Sequence, residues 1–203
     1  MRYALAAIAI LATLAGVWFV FAHKPAVTNY PSQGSDVIAI GDSLVFGTGA
    51  GRGSGFVSVL ERELSITIAN LGRAGDTTAD VRARLHELDE YDPKLVILLA
   101  GGNDYLRQVP DDTVFANLAA IIEYIHGKGA MVVLVGIRGG VIGDPYAARF
   151  KQLAEQYGTA YVPDALQGLF GDKRYMTDTV HPNEAGYALL AARIAPVVKD
   201  LLQ

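Results

Sequence analysis

The sequence contains no cysteine and no excess of positive charge. Without a thiol, disulfide bonds, thiolate catalysis and cysteine-ligated zinc are all excluded. The formal net charge is −4, with acidic and basic residues interspersed, so the chain lacks the basic footprint of a nucleic-acid-binding protein. Internal repeats and low-complexity tracts are also missing. A chain of 203 residues without these features is suited to one domain with a sizeable core.

A single long hydrophobic run lies near the N-terminus, from Tyr3 to Ala22. About 20 apolar residues are enough to cross a bilayer as a helix, and small residues near Ala22 also suit cleavage of a secretory signal. We therefore predict that residues 1–24 form a signal anchor or a signal peptide. In both cases the positive charge before the run favours export of the rest of the chain. Residues 25–35, with two prolines and three Ser or Gly, are a predicted linker.

From residue 36 onward, short apolar runs typical of strands alternate with stretches typical of amphipathic helices. The predicted strands are Val37–Ile40, Ile66–Ala69, Leu95–Leu99, Met131–Val135 and Ala160–Pro163. Helical stripes include Val57, Leu60 and Leu64, then Val81, Leu85 and Leu88, and a last helix is predicted to begin near Asn183. This alternation predicts an α/β domain over residues 36–203, a three-layer α/β/α sandwich around a five-stranded parallel sheet.

The first predicted strand ends at Gly41, and Ser43 follows two residues later. Ligands of open α/β sheets bind beyond the carboxyl ends of the strands, so this serine is well placed to meet one. A free hydroxyl is a weak nucleophile and needs a nearby base. Asp178 and His181 lie three residues apart, so a short turn can pair carboxylate with imidazole and supply that base. The alternative for this pair is a helix cap beside a surface histidine.

Two further stretches that follow predicted strands can supply hydrogen-bond donors. Gly75 lies in a loop where glycine permits close approach of the backbone, and Asn103 follows two glycines. Acyl transfer needs such donors for the oxyanion that forms on the carbonyl. Glycine and asparagine are also ordinary turn residues, which is the simpler interpretation of each alone. Because serine, glycine, asparagine and the Asp–His pair all follow strand ends or close the chain, we interpret them as one hydrolase set.

In four blocks the domain resembles the SGNH hydrolase superfamily, also called GDSL esterases and lipases. The blocks are Gly41-Asp42-Ser43-Leu44, Gly72 to Thr78, Gly101-Gly102-Asn103-Asp104 and Asp178 to Asn183, in family order. The likeness is strongest to the bacterial branch of thioesterase I, lysophospholipase L1 and arylesterases. It implies the flavodoxin-like fold of that superfamily, with Ser43 as nucleophile, His181 as base and Asp178 as its orienter. It also implies an oxyanion hole of the Ser43 and Gly75 N–H groups and the Asn103 side chain.

The resemblance implies a serine hydrolase that cleaves carboxylic esters or thioesters through an acyl-enzyme, with small acyl or aryl esters or lysophospholipids as substrates. It implies no metal or organic cofactor. We expect a monomer in the bacterial envelope, periplasmic or extracellular, either anchored by residues 3–22 or released after cleavage near Ala22. The membrane would be contacted through the N-terminal segment if that segment is retained.

Three alternatives remain from the sequence. The first is a carbohydrate O-deacetylase of the same fold, and the second is a non-catalytic envelope protein that binds acylated ligands. The third is a phosphate-binding module built on the glycine-rich segment 47–53, although this segment matches neither common phosphate-loop pattern. The G-x-S-x-G turn of the α/β-hydrolases does not occur in the chain.

Substrate contacts are predicted at three positions. Asp42 adjoins the predicted nucleophile, and Val141 and Ile142 lie in a glycine-rich loop, residues 136–145, after the fourth strand. We expect Val141 and Ile142 to line an acyl pocket and the loop to gate it. An ordinary flexible loop is the alternative.

Overall fold

A computed structural model describes residues 27–138 and 144–203 of the chain. The predicted signal or anchor segment, residues 1–24, lies outside the described residues. Within the described ranges, no helix is both long and apolar enough to cross a membrane.

Five parallel strands form one sheet with the spatial order β2-β1-β3-β4-β5. In this doubly wound order, β2 is added on one side of β1 and the later strands on the other side. Ligands of such sheets bind at the carboxyl edge where the order of strands reverses, which here is beside β1. The prediction of a parallel five-stranded sheet is confirmed. The strands are β1 (Asp36–Gly41), β2 (Ile68–Gly72), β3 (Pro93–Leu99), β4 (Met131–Val135) and β5 (Ala160–Val162).

Helices cover both faces of the sheet. Along the described chain they are α1 (Ser43–Phe46), α2 (Phe56–Leu64), α3 (Thr78–Ala83), α4 (Gly102–Leu106), α5 (Asp111–Gly127), α6 (Pro145–Tyr157) and α7 (Glu184–Leu202), with a 3₁₀ helix at Leu85–Glu90. Helices α2 and α7 pack together on one face, and α3, α5 and α6 on the other. The central strands are almost wholly buried between these layers, as their continuous apolar sequences require.

Except in β4, the strand bounds differ from the predicted ones by one to three residues, and two of the differences from prediction have a clear physical reason. β2 starts at Ile68 rather than Ile66, because α2 ends in a left-handed Ser65 and the N–H of Ile66 still donates to the carbonyl of Glu61. The stripe of Val81, Leu85 and Leu88 is not one helix: α3 ends at Ala83, and the 3₁₀ helix begins two residues later. All three apolar side chains are nevertheless buried, because both short helices turn the same side to the sheet.

Backbone approaches at the carboxyl edge of the sheet require glycine at two strand ends. A Cβ on Gly41 would lie 1.8 Å from the carbonyl oxygen of Leu99, and one on Gly72 would lie 2.2 Å from the N of Phe46. Both glycines therefore allow α1 to sit tightly against the ends of β1, β2 and β3. The serine that begins α1 is fixed by this packing.

The chain enters the domain along the opposite, amino-terminal edge of the strands. Thr28 donates from N–H and Oγ1 to the carbonyls of Gly158 and Tyr157, just before β5. Asn29 Nδ2 donates to the carbonyls of His126 and Ala130, just before β4. The described part of the predicted linker 25–35 is thus docked on the domain, and the boundaries 1–24, 25–35 and 36–203 stay predictions.

Candidate active site

Ser43 is the first residue of α1, immediately beyond the end of β1. The side chain of Asp42 caps this helix, with Oδ1 accepting the N–H of Leu44 at 2.9 Å. Ser43 is 9% exposed, so its hydroxyl borders the cleft while the backbone beneath it is buried. The serine therefore projects from a rigid turn at the carboxyl edge of the sheet.

His181 and Asp178 lie in the loop between β5 and α7, and the structure brings both to Ser43. His181 Nε2 lies 3.1 Å from Ser43 Oγ, and Nδ1 lies 2.7 Å from Asp178 Oδ2. Because the carboxylate accepts the Nδ1 proton, Nε2 is the nitrogen left to accept the serine proton. The three predicted side chains form one continuous chain of hydrogen bonds.

Asp178 is held by its own loop as well as by the histidine. Its Oδ1 accepts the N–H groups of Val180 and His181, at 2.8 and 2.7 Å. The hydrogen bond from His181, together with these backbone donors, lowers the pKa of Asp178 to about 2. The carboxylate is therefore charged at neutral pH, although half of its side chain is exposed.

Asn103 borders the cleft beside Ser43, and its amide contacts the turn that contains Gly75. Gly75 has φ +89° in the turn after β2, and Asn103 lies in the first turn of α4. Asn103 Nδ2 donates to the carbonyl of Asp76 at 2.9 Å, which fixes the amide beside this turn. Among the residues that the structure describes, none accepts a hydrogen bond from the N–H of Ser43 or of Gly75. This is a requirement for the predicted oxyanion hole, which stays a prediction.

Side chains that are nearly inaccessible hold the turn after β2 in place. Asp104 is 1% exposed, and its carboxylate accepts the N–H of Thr78 at 2.8 Å and its Oγ1 at 2.6 Å. Asn117 Nδ2 donates to the same hydroxyl at 3.1 Å. Thr77 and Asp80 form a capping box at the start of α3. None of these supporting side chains was predicted, although Asp104 belongs to a quoted motif and Thr77 and Thr78 to another.

The glycine-rich segment 47–53 packs against the loop of His181. A Cβ on Gly49 would lie 2.7 Å from the carbonyl of Pro182 and 3.0 Å from Cβ of His181. Thr177 Oγ1 donates to the carbonyl of Gly49 at 2.6 Å, and Tyr187 OH donates to that of Thr48 at 2.8 Å. This close approach accounts for the glycine at position 49 without a phosphate ligand.

A cleft of about 250 Å³ opens beside Ser43. Apolar side chains form most of its wall: Leu44, Leu106, Ile137, Leu166, Phe170 and Val180. Asn103, Ser43 and His181 lie along its polar side. A carbonyl placed at Ser43 therefore meets polar groups on one side and an apolar surface on the other.

Asp42 also borders the cleft, but its carboxyl is 1% exposed. Burial, together with the nearby carboxylate of Asp104, raises the pKa of Asp42 to about 7, although the hydrogen bond from the Leu44 N–H acts in the opposite direction. Its role as a substrate contact stays a prediction. Val141 and Ile142 lie outside the described residues, and so does the centre of their loop.

Within residues 27–138 and 144–203, no group of three or more His, Asp or Glu side chains is arranged to hold a metal ion. The arrangement around Ser43 instead combines a serine, a base with its orienting carboxylate and two free N–H groups at a sheet edge. Such a site on a doubly wound sheet is the one that serine hydrolases of this type use.

Comparison with known proteins gives the same class. The chain belongs to the GDSL-like lipase/acylhydrolase family, whose model matches residues 39–189. It is 32% identical over 178 residues to esterase TesA of Pseudomonas aeruginosa, covering 82% of this chain and 89% of that protein. It is 32% identical over 152 residues to the arylesterase of Vibrio mimicus, covering 71% and 76%. A crystal structure of TesA matches with TM-score 0.74 and 31% identity, over 82% of this chain and 99% of that one. The predicted resemblance is confirmed.

Proposed function

We propose that this protein is a serine esterase in which Ser43, His181 and Asp178 are the catalytic triad. The observation that carries the proposal is the hydrogen-bonded series Asp178–His181–Ser43, with distances of 2.7 and 3.1 Å. The esterase names of its relatives support the same reaction. The proposed oxyanion hole consists of the Ser43 and Gly75 N–H groups and the Asn103 amide.

The reaction proceeds by two acyl transfers. Ser43 Oγ attacks the ester carbonyl while its proton passes to His181 Nε2, and the resulting oxyanion accepts hydrogen bonds from the three donors. The C–O bond to the alcohol then breaks, and His181 returns the proton to the departing oxygen. Water attacks the acyl-enzyme with the same proton relay, which releases the carboxylic acid and restores the serine.

The cleft supports esters with short to medium acyl chains or an aryl group as substrates. Its lining is mostly apolar, and its volume of about 250 Å³ lies just below the range of common small-molecule pockets. The hydroxyl groups of an acetylated carbohydrate are less well matched to such a lining than a hydrocarbon acyl or aryl group. The lining therefore favours an acyl or aryl esterase over the O-deacetylase alternative. We further propose that the enzyme acts in the bacterial envelope as a monomer.

The test is hydrolysis of p-nitrophenyl acetate, butyrate, octanoate and palmitate by the purified full chain, its Ser43→Ala variant and a Ser58→Ala control. Ser58 lies on α2 and does not line the cleft. We expect butyrate or octanoate to be the best substrate and the Ser43→Ala variant to lose at least about 10³-fold in kcat, since the nucleophile is gone.

The control should retain wild-type activity. Equal activity of the Ser43→Ala and Ser58→Ala variants would contradict a serine mechanism. A clear preference for acetate, together with deacetylation of an acetylated oligosaccharide, would instead favour the O-deacetylase.

A further inference from the structure

Arg84 is a buried arginine outside the motifs that define the family resemblance. It caps the end of α3 and is 5% exposed. Its guanidinium donates from Nη2 to the carbonyl of Gly41 at 2.9 Å and from Nε to Asp76 Oδ2 at 2.7 Å. A third contact joins Nη1 to Glu87 Oε2 at 3.2 Å. An arginine this deeply buried needs such partners. Two of them, Gly41 and Asp76, lie on two separate turns of the site.

The first of these turns leads into the nucleophile. Gly41 ends β1 two residues before Ser43, and its carbonyl accepts both Arg84 Nη2 and the N–H of Arg73, the latter at 3.0 Å. Two donors on one carbonyl fix the plane of the peptide that links Gly41 to Asp42. The direction of the following Ser43 N–H depends on that plane.

The second turn carries the other donors. Asp76 directly follows Gly75, and its carbonyl accepts Asn103 Nδ2 at 2.9 Å. Arg84 holds the side chain of Asp76, while Asn103 is held by its backbone. A displacement of Asp76 would therefore move the Gly75 N–H and the Asn103 amide together.

We propose that Arg84 is a positioning residue that sets the spacing between the Ser43 donor and the Gly75 and Asn103 donors. The inference rests on the proposed esterase function. Arginine suits the role because its planar fork presents several donors in fixed directions, whereas a lysine offers one compact charge that reaches only one partner. Arg84 does not touch the cleft, so it acts on the reaction only through the groups it holds.

The kinetic test compares Arg84→Lys with Arg82→Lys. Arg82 lies on the same helix but is exposed and donates to Asn117 rather than to the turn residues. We expect Arg84→Lys to lower kcat about 10- to 100-fold, because donors displaced by about 1 Å lose much of their effect. KM should change less than about threefold, since substrate in the ground state does not depend on these donors. Arg82→Lys should behave as wild type.

A double-mutant cycle with Asn103→Ala separates positioning from general loss of structure. Removing one oxyanion donor lowers kcat about 10²- to 10³-fold. If Arg84 acts through the hole, the double variant should lose little more than Asn103→Ala alone. Losses that multiply in full would overturn the inference. Should Arg84→Lys fail to fold, Asp76→Ala takes its place in the cycle, because it removes the contact between Arg84 Nε and the turn after β2 and keeps the Asp76 backbone carbonyl.

Amide hydrogen exchange gives a measurement that does not depend on activity. We expect residues 73–78 to exchange faster in Arg84→Lys than in wild type or Arg82→Lys, because the turn has lost one anchor. Unchanged exchange in this segment would overturn the inference whether or not the protein hydrolyses esters. Absence of any ester hydrolysis in the wild type, with faster exchange in the variant, would instead overturn the proposed function.

Discussion

The two sides of the candidate active site are held in different ways. The nucleophile turn and the turn after β2 are fixed by side chains that are almost inaccessible, among them Asp42, Arg84 and Asp104. The loop of Asp178 and His181 is a surface loop, in which these side chains are 50% and 21% exposed. It is closed by a bridge between Met176 and Pro182 and by hydrogen bonds of its own backbone. The core therefore positions the proposed oxyanion donors, whereas a local surface turn positions the base.

The largest expected effect comes from replacing the carboxylate of Asp178, on the exposed side of the site. Asp178→Asn keeps an oxygen for the N–H groups of Val180 and His181 but turns an amide donor toward Nδ1. The histidine is then driven to the tautomer that cannot accept the serine proton. We expect kcat to fall about 10³- to 10⁴-fold, measured with the best p-nitrophenyl ester.

This variant should unfold at nearly the same denaturant concentration as wild type, because the loop contributes little to the core. A loss of stability as large as the loss of activity would show that the loop is not a separate unit.

The second prediction concerns a substitution at Gly41, on the buried side of the site. In Gly41→Ala the new Cβ meets the carbonyl oxygen of Leu99, a backbone atom that cannot swing away. We expect the free energy of unfolding to fall by about 3 kcal/mol or more, measured by urea denaturation. Gly53→Ala is the matched control, since it also has positive φ but meets no atom within 4 Å. It should lose only about 1 kcal/mol through backbone strain.

The third prediction tests the buried side of the site through pH. Asp42 has a folded pKa of about 7 against an ordinary 3.8, so the native state binds the proton more tightly than the unfolded state. Its contribution to stability is therefore present below pH 3.8 and is lost as the pH rises toward 7, by up to about 1.4 kcal/mol per pH unit. Asp42→Asn, which still caps α1, should remove this loss.

The measurement is urea denaturation of wild type and Asp42→Asn between pH 4 and 8. We expect the curves to diverge as the pH rises, with the variant the more stable. Parallel curves would show that Asp42 is not desolvated. Asp178 has the opposite sign, because its lowered pKa gives stability above pH 3.8 that is lost toward pH 2; this contribution is small, since half of the side chain is exposed and screened by solvent.

Much of the fold follows from the sequence because the three central strands are almost wholly buried and hence continuously apolar. Met131–Val135 has the predicted bounds for this reason. β2 was harder to delimit, since it continues through Asn70 to Gly72. The side chain of Asn70 donates to the carbonyl of Val45 and accepts the N–H of Gly72, so tertiary contacts offset its weak strand propensity.

In the candidate site, too, some residues could be predicted from the sequence and one was not. Ser43, Gly75, Asn103, Asp178 and His181 were predicted because they follow strand ends or lie in quoted motifs, and the structure brings them together. Arg84 was not predicted. In a continuous helix, its spacing of three residues from Val81 and four from Leu88 puts Arg84 on the apolar face, whereas Arg82 falls outside that face. This spacing is the sequence signal that distinguishes the buried arginine from the exposed one.

Residues 27–29 dock at the amino-terminal edge of the sheet. The cleft lies at the opposite edge, about 20 Å away along the strands. A resin linker, a fusion partner or a lipid surface joined through the chain before Val27 is therefore attached to the domain on the side away from the cleft. Immobilisation from this end should leave access for a dissolved ester unobstructed.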